Sequence, residues 1–155
     1  MKVRDVMATV VHSCRPRINL AEAAASMWNF DCGSLPVVDH DGKVIGMITD
    51  RDICMAVATK GRIASHITVW ETMTGKAHTC GEDDAAKTAL GTMTAEKVRR
   101  LPVVDQEGML RGFLSINDLV LQAGEAKWKG AQALSREEVL DTMKKICGHR
   151  VLVGI

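Results

Sequence analysis

A hydroxyl residue stands three positions before an aspartate at two places in the chain, Thr49-x-x-Asp52 and Ser115-x-x-Asp118. At the start of a helix, residues i and i+3 face the same side. Free backbone N–H groups and the positive end of the helix dipole point there too. A phosphate can bind the hydroxyl and the N–H groups, while the carboxylate can accept hydrogen bonds from both hydroxyls of a ribose. Both motifs are therefore candidate sites for a phosphorylated sugar.

Both motifs belong to a repeat with a fixed offset. The segment 35–39, Leu-Pro-Val-Val-Asp, recurs at 101–105, which is 66 positions later, and the same offset relates Asp52 to Asp118. The register runs without a gap from about residue 3 to about residue 119. A repeat of fixed period sets the fold, and this one predicts two equivalent sites related by a pseudo-two-fold axis.

Hydrophobic periodicity predicts the same order of elements in both copies. In the first copy we expect a helical turn at 3–7, a strand at Thr9–His12, a helix from the N-cap Asn19 to about Cys32-Gly33, strands at 35–39 and 43–49, and a helix from Asp50. In the second copy we expect a helix at about 84–98, strands at 101–105 and 109–114, and a helix after Ser115. Each repeat is then β-α-β-β-α, which makes the chain an α/β protein of the α+β type.

The domain boundaries that we expect are 1–62 for the first repeat, 63–124 for the second, and 125–155 for a linker, a helix and a tail. Ser135-x-x-Glu138 is a capping-box pattern that predicts the start of this last helix. One apolar stripe should run along it, and Gly148 should end it. The tail, Arg150–Ile155, is apolar enough for a strand or a docking segment. The members of the stripe are Val139, Leu140, Met143, Ile146 and Cys147.

Composition and charge argue against several classes of function. Lys and Arg number 20 against 19 Asp and Glu, so no general electrostatic attraction draws the chain to nucleic acid or to an anionic membrane. No stretch is long enough to span a bilayer. The five cysteines are odd in number and form no C-x-x-C, which favours free thiols in a reducing cytoplasm. No P-loop, H-E-x-x-H or nucleophile elbow occurs, so we expect no enzymatic activity.

The two copies of the Leu-Pro-Val-Val-Asp strand, each followed by a Gly turn and the Thr/Ser-x-x-Asp motif, resemble a tandem pair of cystathionine-β-synthase (CBS) domains, the Bateman module, over residues 1–122. The resemblance implies a regulatory module that is not an enzyme and requires no cofactor. It implies a ligand that contains adenosine, such as AMP, ADP, ATP or S-adenosylmethionine, bound in clefts between the two repeats. It also implies a disc-shaped homodimer and a partner enzyme or transporter.

The resemblance also implies which residues line each cleft, because each one combines its own Thr/Ser-x-x-Asp motif with residues of the other repeat. The first cleft would use Thr49, Arg51 and Asp52 together with Ala77, Val98, Arg99 and Arg100. The second would use Ser115, Asn117 and Asp118 together with Val11, Cys32, Gly33 and Ser34. The two consecutive arginines favour a phosphate-bearing ligand in the first cleft, and the second better suits a nucleoside or another ligand of low charge.

Two alternative interpretations remain open. Thr49 and Ser115 could be helix N-caps only, with the two aspartates stabilising the helix dipole by about 0.3–1 kcal/mol. The module would then be a ligand-free platform for dimerisation or docking. A metal site is the less favoured alternative. The pairs His12-x-Cys14, His78-x-Cys80 and Cys147-x-His149 match no known zinc spacing, and the resemblance implies that the positions of Cys14 and Cys80 fill the core.

Overall fold

The computed structural model describes residues 1–125, 127–128, 130 and 133–148, so the predictions for His149 and for the tail at 150–155 lie outside the described residues. The prediction of a mixed helix and strand fold is confirmed. Two 3-10 turns cover Val3–Asp5 and Ala64–His66. The helices of the described residues are α1 (Leu20–Asn29), α2 (Asp50–Lys60), α3 (Ala86–Glu96), α4 (Ile116–Gln122) and α5 (Arg136–Cys147). The strands in the same part of the chain are β1 (Ser34–Val38), β2 (Val44–Thr49), β3 (Cys80–Gly81), β4 (Arg100–Val104) and β5 (Leu110–Ser115).

The chain divides into two compact units. The first-repeat unit consists of Val10–Ala77 with Val104–Arg111, and the second-repeat unit consists of Met1–Thr9, His78–Val103 and the part of the chain from Gly112 onward. The first nine residues therefore pack with the second repeat. No helix of the described residues is both long enough and apolar enough to cross a bilayer.

A short edge segment completes the hairpin in each unit. In the first-repeat unit, Thr74 exchanges backbone hydrogen bonds of 2.8 and 3.2 Å with Met47 of β2. In the second-repeat unit, Ala8 exchanges two bonds of 2.9 Å with Phe113 of β5. The two pairs are related by the 66-residue offset. A two-stranded hairpin is marginal by itself, and these edge segments supply the additional backbone pairing.

The core of the first-repeat unit lies between the β1–β2 hairpin and the helices α1 and α2. β1 is buried along its whole length and pairs antiparallel with β2, with Leu35 opposite Ile48. Both of these side chains are fully buried. The remaining large members of this core are Leu20, Met27, Val37, Ile53, Ile67 and Val69.

The second-repeat unit has an equivalent core, which the C-terminal helix α5 extends. Val139 and Thr142 of α5 are buried against α3 and α4, and the Thr94 hydroxyl donates a 3.0 Å hydrogen bond to the Thr142 hydroxyl. The apolar stripe predicted on α5 is only partly covered. Val139 and Ile146 pack in the core of the second-repeat unit, whereas Leu140 and Met143, on the adjoining side of the same stripe, are exposed.

The predicted strand at Thr9–His12 is not formed. Ala8 pairs with Phe113 in one unit, and Cys14 pairs in parallel with Val37 in the other. The residues between them therefore carry the chain from one unit to the other and have no strand beside them. The repeat equivalent of Cys14 is Cys80, which begins the two-residue strand β3.

Local caps set most helix ends. Asn19 caps α1 by accepting a 2.9 Å hydrogen bond from the Glu22 N–H, as predicted. The helix nevertheless ends at Asn29, before the expected Cys32-Gly33. The residue that adopts a left-handed backbone conformation after α1 is Asp31, at φ +49°. The equivalent residue of the second copy is Lys97, at φ +54°. Asp tolerates this conformation better than most residues, so no glycine is needed there.

The edge pairing predicts a specific requirement for glycine at position 46. A Cβ at this position would lie 2.4 Å from the backbone oxygen of Thr74, and a backbone atom has no room to move. We expect Gly46→Ala to lower the free energy of unfolding by about 1–3 kcal/mol, measured by urea denaturation. Gly75→Ala is the matched control, because its Cβ would meet nothing within 4 Å. Equal stability of the two variants would contradict the tight edge contact.

Candidate functional site

The Thr49-x-x-Asp52 motif forms a capping box at the junction of β2 and α2. The Asp52 N–H donates to the Thr49 hydroxyl oxygen at 3.1 Å. In return, Asp52 Oδ2 accepts the Thr49 N–H at 2.9 Å and the Thr49 hydroxyl at 2.7 Å. The first copy therefore has the helix cap that the sequence predicted, and both side chains are half-buried.

The Ser115-x-x-Asp118 motif repeats this geometry at the junction of β5 and α4. Asp118 Oδ2 accepts both the N–H and the hydroxyl of Ser115 at 2.7 Å, and the Asp118 N–H donates to the Ser115 oxygen at 3.3 Å. The residues at both junctions are half-buried. The two motifs are thus equivalent in structure as well as in sequence.

Each capping box uses only one oxygen of its carboxylate. Oδ1 of Asp52 and Oδ1 of Asp118 accept no hydrogen bond from the residues that the structure describes. An ionised carboxylate has about four acceptor positions on its two oxygens. Capping therefore leaves acceptor capacity at both sites, and the interpretation as helix caps does not exclude a ligand.

Within the first-repeat unit, the start of β1 lies beside the Thr49 motif. Ser34 is opposite Thr49 in the antiparallel pair, and the Asp50 N–H donates to the Gly33 carbonyl at 3.1 Å. A Cβ on Gly33 would lie 2.9 Å from Asp50 Oδ2, so a larger residue would displace that carboxylate. The Ser34 hydroxyl is buried and has no hydrogen-bond partner among the described residues.

Within the second-repeat unit, the same contact brings Arg99 and Arg100 beside the Ser115 motif. The Ile116 N–H donates to the Arg99 carbonyl at 2.8 Å, which is the equivalent of the bond between Asp50 and Gly33. The Arg99 guanidinium contacts the Cys147 sulfur at 3.7 Å, at the end of α5. The repeat pattern does not reveal this last contact, because α5 has no counterpart in the first copy.

The three arginines that the sequence singled out carry no carboxylate partner among the described residues. Arg51, Arg99 and Arg100 are all exposed. By contrast, Arg4, Arg62 and Arg111 form salt bridges with Asp83, Glu71 and Asp105. A guanidinium without a carboxylate partner can pair with an incoming phosphate without first breaking an ion pair.

The other predicted ligand residues have less specific surroundings. Val11 and Ala77 are half-buried residues of the first-repeat unit, and Val98 packs against the core of the second-repeat unit. Asn117 is exposed in the first turn of α4. The grouping of residues from both repeats around one ligand stays a prediction.

In the two described Cys/His pairs, both cysteines are buried. Burial raises the pKa of Cys14 to about 11, and burial together with Asp84 raises the pKa of Cys80 to about 12, so both remain thiols. The His12 ring stacks on Phe30, with 3.4 Å between ring centroids. One group of three metal-binding side chains lies within 4.8 Å in the described part of the chain, the consecutive residues Asp39, His40 and Asp41, of which the last two are exposed.

The raised pKa of Cys14 predicts how stability depends on pH. The unfolded chain loses this proton near the ordinary value of 9.0, whereas the folded chain keeps it to about 11. The free energy of unfolding should therefore fall as the pH rises through this window. Urea denaturation at neutral pH and between pH 9 and 11 measures the effect. Cys14→Ala should reduce the fall, while the exposed Cys54→Ala should keep it; an unchanged fall in Cys14→Ala would contradict this role.

Comparisons with known proteins agree with this architecture. Over 114 residues the chain is 36% identical to inosine-5'-monophosphate dehydrogenase of Mycobacterium tuberculosis, a match that covers 74% of this chain and 21% of that enzyme. The chain therefore spans about a fifth of the length of this curated relative.

Two solved structures share the fold over most of the chain. One is the CBS domain pair of protein MJ0100 in complex with 5'-methylthioadenosine and S-adenosyl-L-methionine, with 27% identity, a TM-score of 0.71, and coverage of 78% of this chain and 94% of that one. The other is CBSX2 in complex with AMP, with 25% identity, a TM-score of 0.67, and coverage of 77% and 93%. The CBS domain model itself matches twice, at residues 3–59 and 65–123. The resemblance seen in the sequence is confirmed: this chain belongs to the CBS domain family, as a tandem pair.

Proposed function

We propose that this chain is a regulatory module that binds a ligand containing adenosine, of the AMP, ADP, ATP or S-adenosylmethionine type. The proposal is carried by the carboxylates of Asp52 and Asp118, which lie at equivalent helix starts. Each uses only one of its two oxygens to cap its helix. The complexes of MJ0100 and CBSX2 support the ligand class, since their ligands all contain an adenosine group.

The chemistry of the first motif suits a ribose phosphate. Oδ1 of Asp52 is available to accept hydrogen bonds from ribose hydroxyls while Oδ2 holds the cap. Hydrogen bonds to a charged acceptor contribute about 1.5–3 kcal/mol. The exposed guanidinium of Arg51, one residue before Asp52, offers a contact to phosphate. These residues bind and orient a ligand, and they perform no reaction on it.

Arg99 offers a route by which a ligand could act on the C-terminal helix. Its backbone carbonyl accepts the Ile116 N–H next to the Ser115 motif, and its side chain contacts Cys147 of α5. A phosphate on this guanidinium would compete with the sulfur contact. A ligand then shifts the population of α5 arrangements by as much as its affinity differs between them.

The remaining assignments concern the setting in which the module works. We propose a non-catalytic role, because the similarity to the dehydrogenase covers only 21% of that enzyme. All five cysteines are free thiols, which suits a reducing cytoplasm. We further propose a homodimer that regulates a partner enzyme or transporter, with neither a nucleic acid nor a membrane as partner.

Replacement of the Asp52 carboxylate should weaken ligand binding. Asp52→Asn keeps a carbonyl oxygen that can serve the cap and removes the charge, so the Kd for AMP or ATP should rise about 10-fold or more, measured by isothermal titration calorimetry. Glu138→Gln is the matched control, because Glu138 forms the same type of capping box with Ser135 outside the repeats.

The two functional alternatives differ in their response to ligand. A ligand at 100 times its Kd should stabilise the fold by about 2.7 kcal/mol, visible as a thermal shift. If none of AMP, ADP, ATP and S-adenosylmethionine shifts the melting temperature, the proposal fails and the ligand-free docking platform is favoured. Equal losses of affinity in Asp52→Asn and Glu138→Gln would instead disprove the assigned site.

The unpaired arginines should distinguish phosphorylated from unphosphorylated ligands. We expect Arg100→Ala to weaken ATP binding by about 10-fold and to leave adenosine binding nearly unchanged, because only the phosphate needs the charge-assisted contact. The ATP affinity of the wild type should also fall with added salt. Arg15→Ala removes another exposed arginine, one that the proposed site does not use, and should change neither affinity. A parallel loss of adenosine affinity in Arg100→Ala would contradict a phosphate role.

A further inference from the structure

The first-repeat unit carries an open groove beside Trp70. Its volume is about 630 Å³, and Pro16, Arg17, Thr68 and Trp70 line it. The Trp70 side chain is 64% exposed there, although an aromatic ring gains more than most side chains from burial. Its backbone is fixed, since the Trp70 N–H donates a 2.9 Å hydrogen bond to the Pro16 carbonyl. Aromatic residues are enriched in interfaces between proteins, so this groove is a candidate docking surface.

The second-repeat unit has the same backbone arrangement at the equivalent place. The 66-residue offset relates Trp70 to Arg4 and Pro16 to Glu82. The Arg4 N–H donates a 3.0 Å hydrogen bond to the Glu82 carbonyl, which is the equivalent of the bond between Trp70 and Pro16. The two surfaces can therefore be compared residue by residue.

Ion pairs occupy this surface in the second-repeat unit. Asp83 forms a 2.7 Å salt bridge with Lys2 and a second salt bridge with Arg4. The carboxylate lies between two cations, so the charges on this surface are compensated within the unit itself.

In the first-repeat unit these ion pairs are missing and the sign of the charge is reversed. Arg17 takes the place of Asp83, whereas the uncharged Thr68 and Trp70 take the places of the two cations. Arg17 is exposed and has no carboxylate partner in the described part of the chain. The same backbone frame therefore presents a guanidinium whose acidic counterpart is absent from the unit.

The carboxylates near Arg17 are held by other groups. Glu71 pairs with Arg62 at 2.7 Å. Asp39, in an adjoining groove of about 700 Å³, accepts two backbone N–H groups of its own turn at 3.0 and 2.9 Å. Arg15 lines that adjoining groove together with Arg17, and no described carboxylate pairs with it either. Both guanidiniums are thus available to an acidic group from outside the chain.

We propose that an acidic segment of a partner protein docks on the Trp70 surface, which consists of Arg15, Pro16, Arg17, Thr68 and Trp70. A carboxylate of the segment pairs with Arg17, as Asp83 pairs with its cations in the second copy. An apolar side chain beside that carboxylate covers the Trp70 ring. This inference rests on the proposed regulatory partner, for which it names a surface and a chemistry, and it does not depend on the nucleotide ligand.

Nuclear magnetic resonance titration of the full chain with short synthetic peptides tests the docking. Each peptide carries aspartate and glutamate around a central leucine, proline or phenylalanine, and a matched peptide carries asparagine and glutamine instead. We expect acidic peptides to bind saturably and to shift the indole N–H resonance of Trp70. Trp28 is the internal control, because it is 86% exposed on the same unit but lines neither groove of the Trp70 surface. Added salt should weaken the binding.

Substitutions on the surface identify the groups that bind. Arg17→Ala should raise the Kd for the acidic peptide about 10-fold or more, as for an arginine at the centre of an interface. Lys76→Ala is the matched control, since Lys76 is an exposed cation of the same unit that lies outside the surface, and it should leave the Kd nearly unchanged. The triple variant Arg17→Asp, Thr68→Lys, Trp70→Arg copies the residues of the second repeat. It should fold and bind no acidic peptide, because its charges are then paired internally.

The remaining outcomes separate this inference from the proposed function. Failure of every acidic peptide to bind in the millimolar range, or equal binding of the amide peptides, would overturn the docking surface. Equal losses in Arg17→Ala and Lys76→Ala would overturn it as well, because the attraction would then be unspecific. Tighter binding of a single-stranded oligonucleotide than of any acidic peptide would assign the surface to nucleic acid instead. Calorimetric titration of the same samples with AMP and ATP shows independently whether the proposed ligand binding holds.

Discussion

The capping box at the start of α2 is the interaction on which the candidate site depends. A single carboxylate oxygen of Asp52 accepts both the N–H and the hydroxyl of Thr49, which fixes the first turn of α2 against the end of β2. The same bonds fix the rotamer of the aspartate and hence the position of its other oxygen. A binding group held in this way loses little conformational freedom when a ligand arrives, and such preorganisation favours affinity. In the proposed site, stability and ligand binding therefore depend on the same side chain.

The edge pairing constrains the fold in a comparable way. Met47 pairs with Thr74, and Phe113 pairs with Ala8. Ala8 comes before the first repeat in sequence but packs in the second-repeat unit, and Thr74 comes just before the second repeat but packs in the first-repeat unit. The chain therefore passes from one unit to the other before each repeat begins. The segment that connects the two units has no neighbouring strand to pair with. For this reason the residues after Ala8 form no strand, despite their β-branched composition.

Elements that local interactions determine could be predicted from the sequence. The caps at Asn19, Thr49, Ser115 and Ser135 need only residues three positions apart, and all four form as expected. The two hairpins follow from apolar runs around a Gly turn. Features that depend on distant residues could not be predicted: the passage after Ala8, the division of the α5 stripe into an inner and an outer face, and the contact of Arg99 with Cys147. None of these has a signature within a few residues of its own position.

The backbone of the two copies is nearly duplicated, whereas the side chains around the two motifs differ in charge. Beside Thr49 and Asp52 the chain places Gly33 and the carboxylate of Asp50. At the same positions beside Ser115 and Asp118 it places Arg99 and the apolar Ile116. An added carboxylate repels a phosphate, whereas a guanidinium attracts it. Arg51 adds a guanidinium beside the first motif, where the second motif has Asn117. The two proposed sites therefore share a hydrogen-bonding frame but differ in the charges around it, and we expect them to differ in ligand preference.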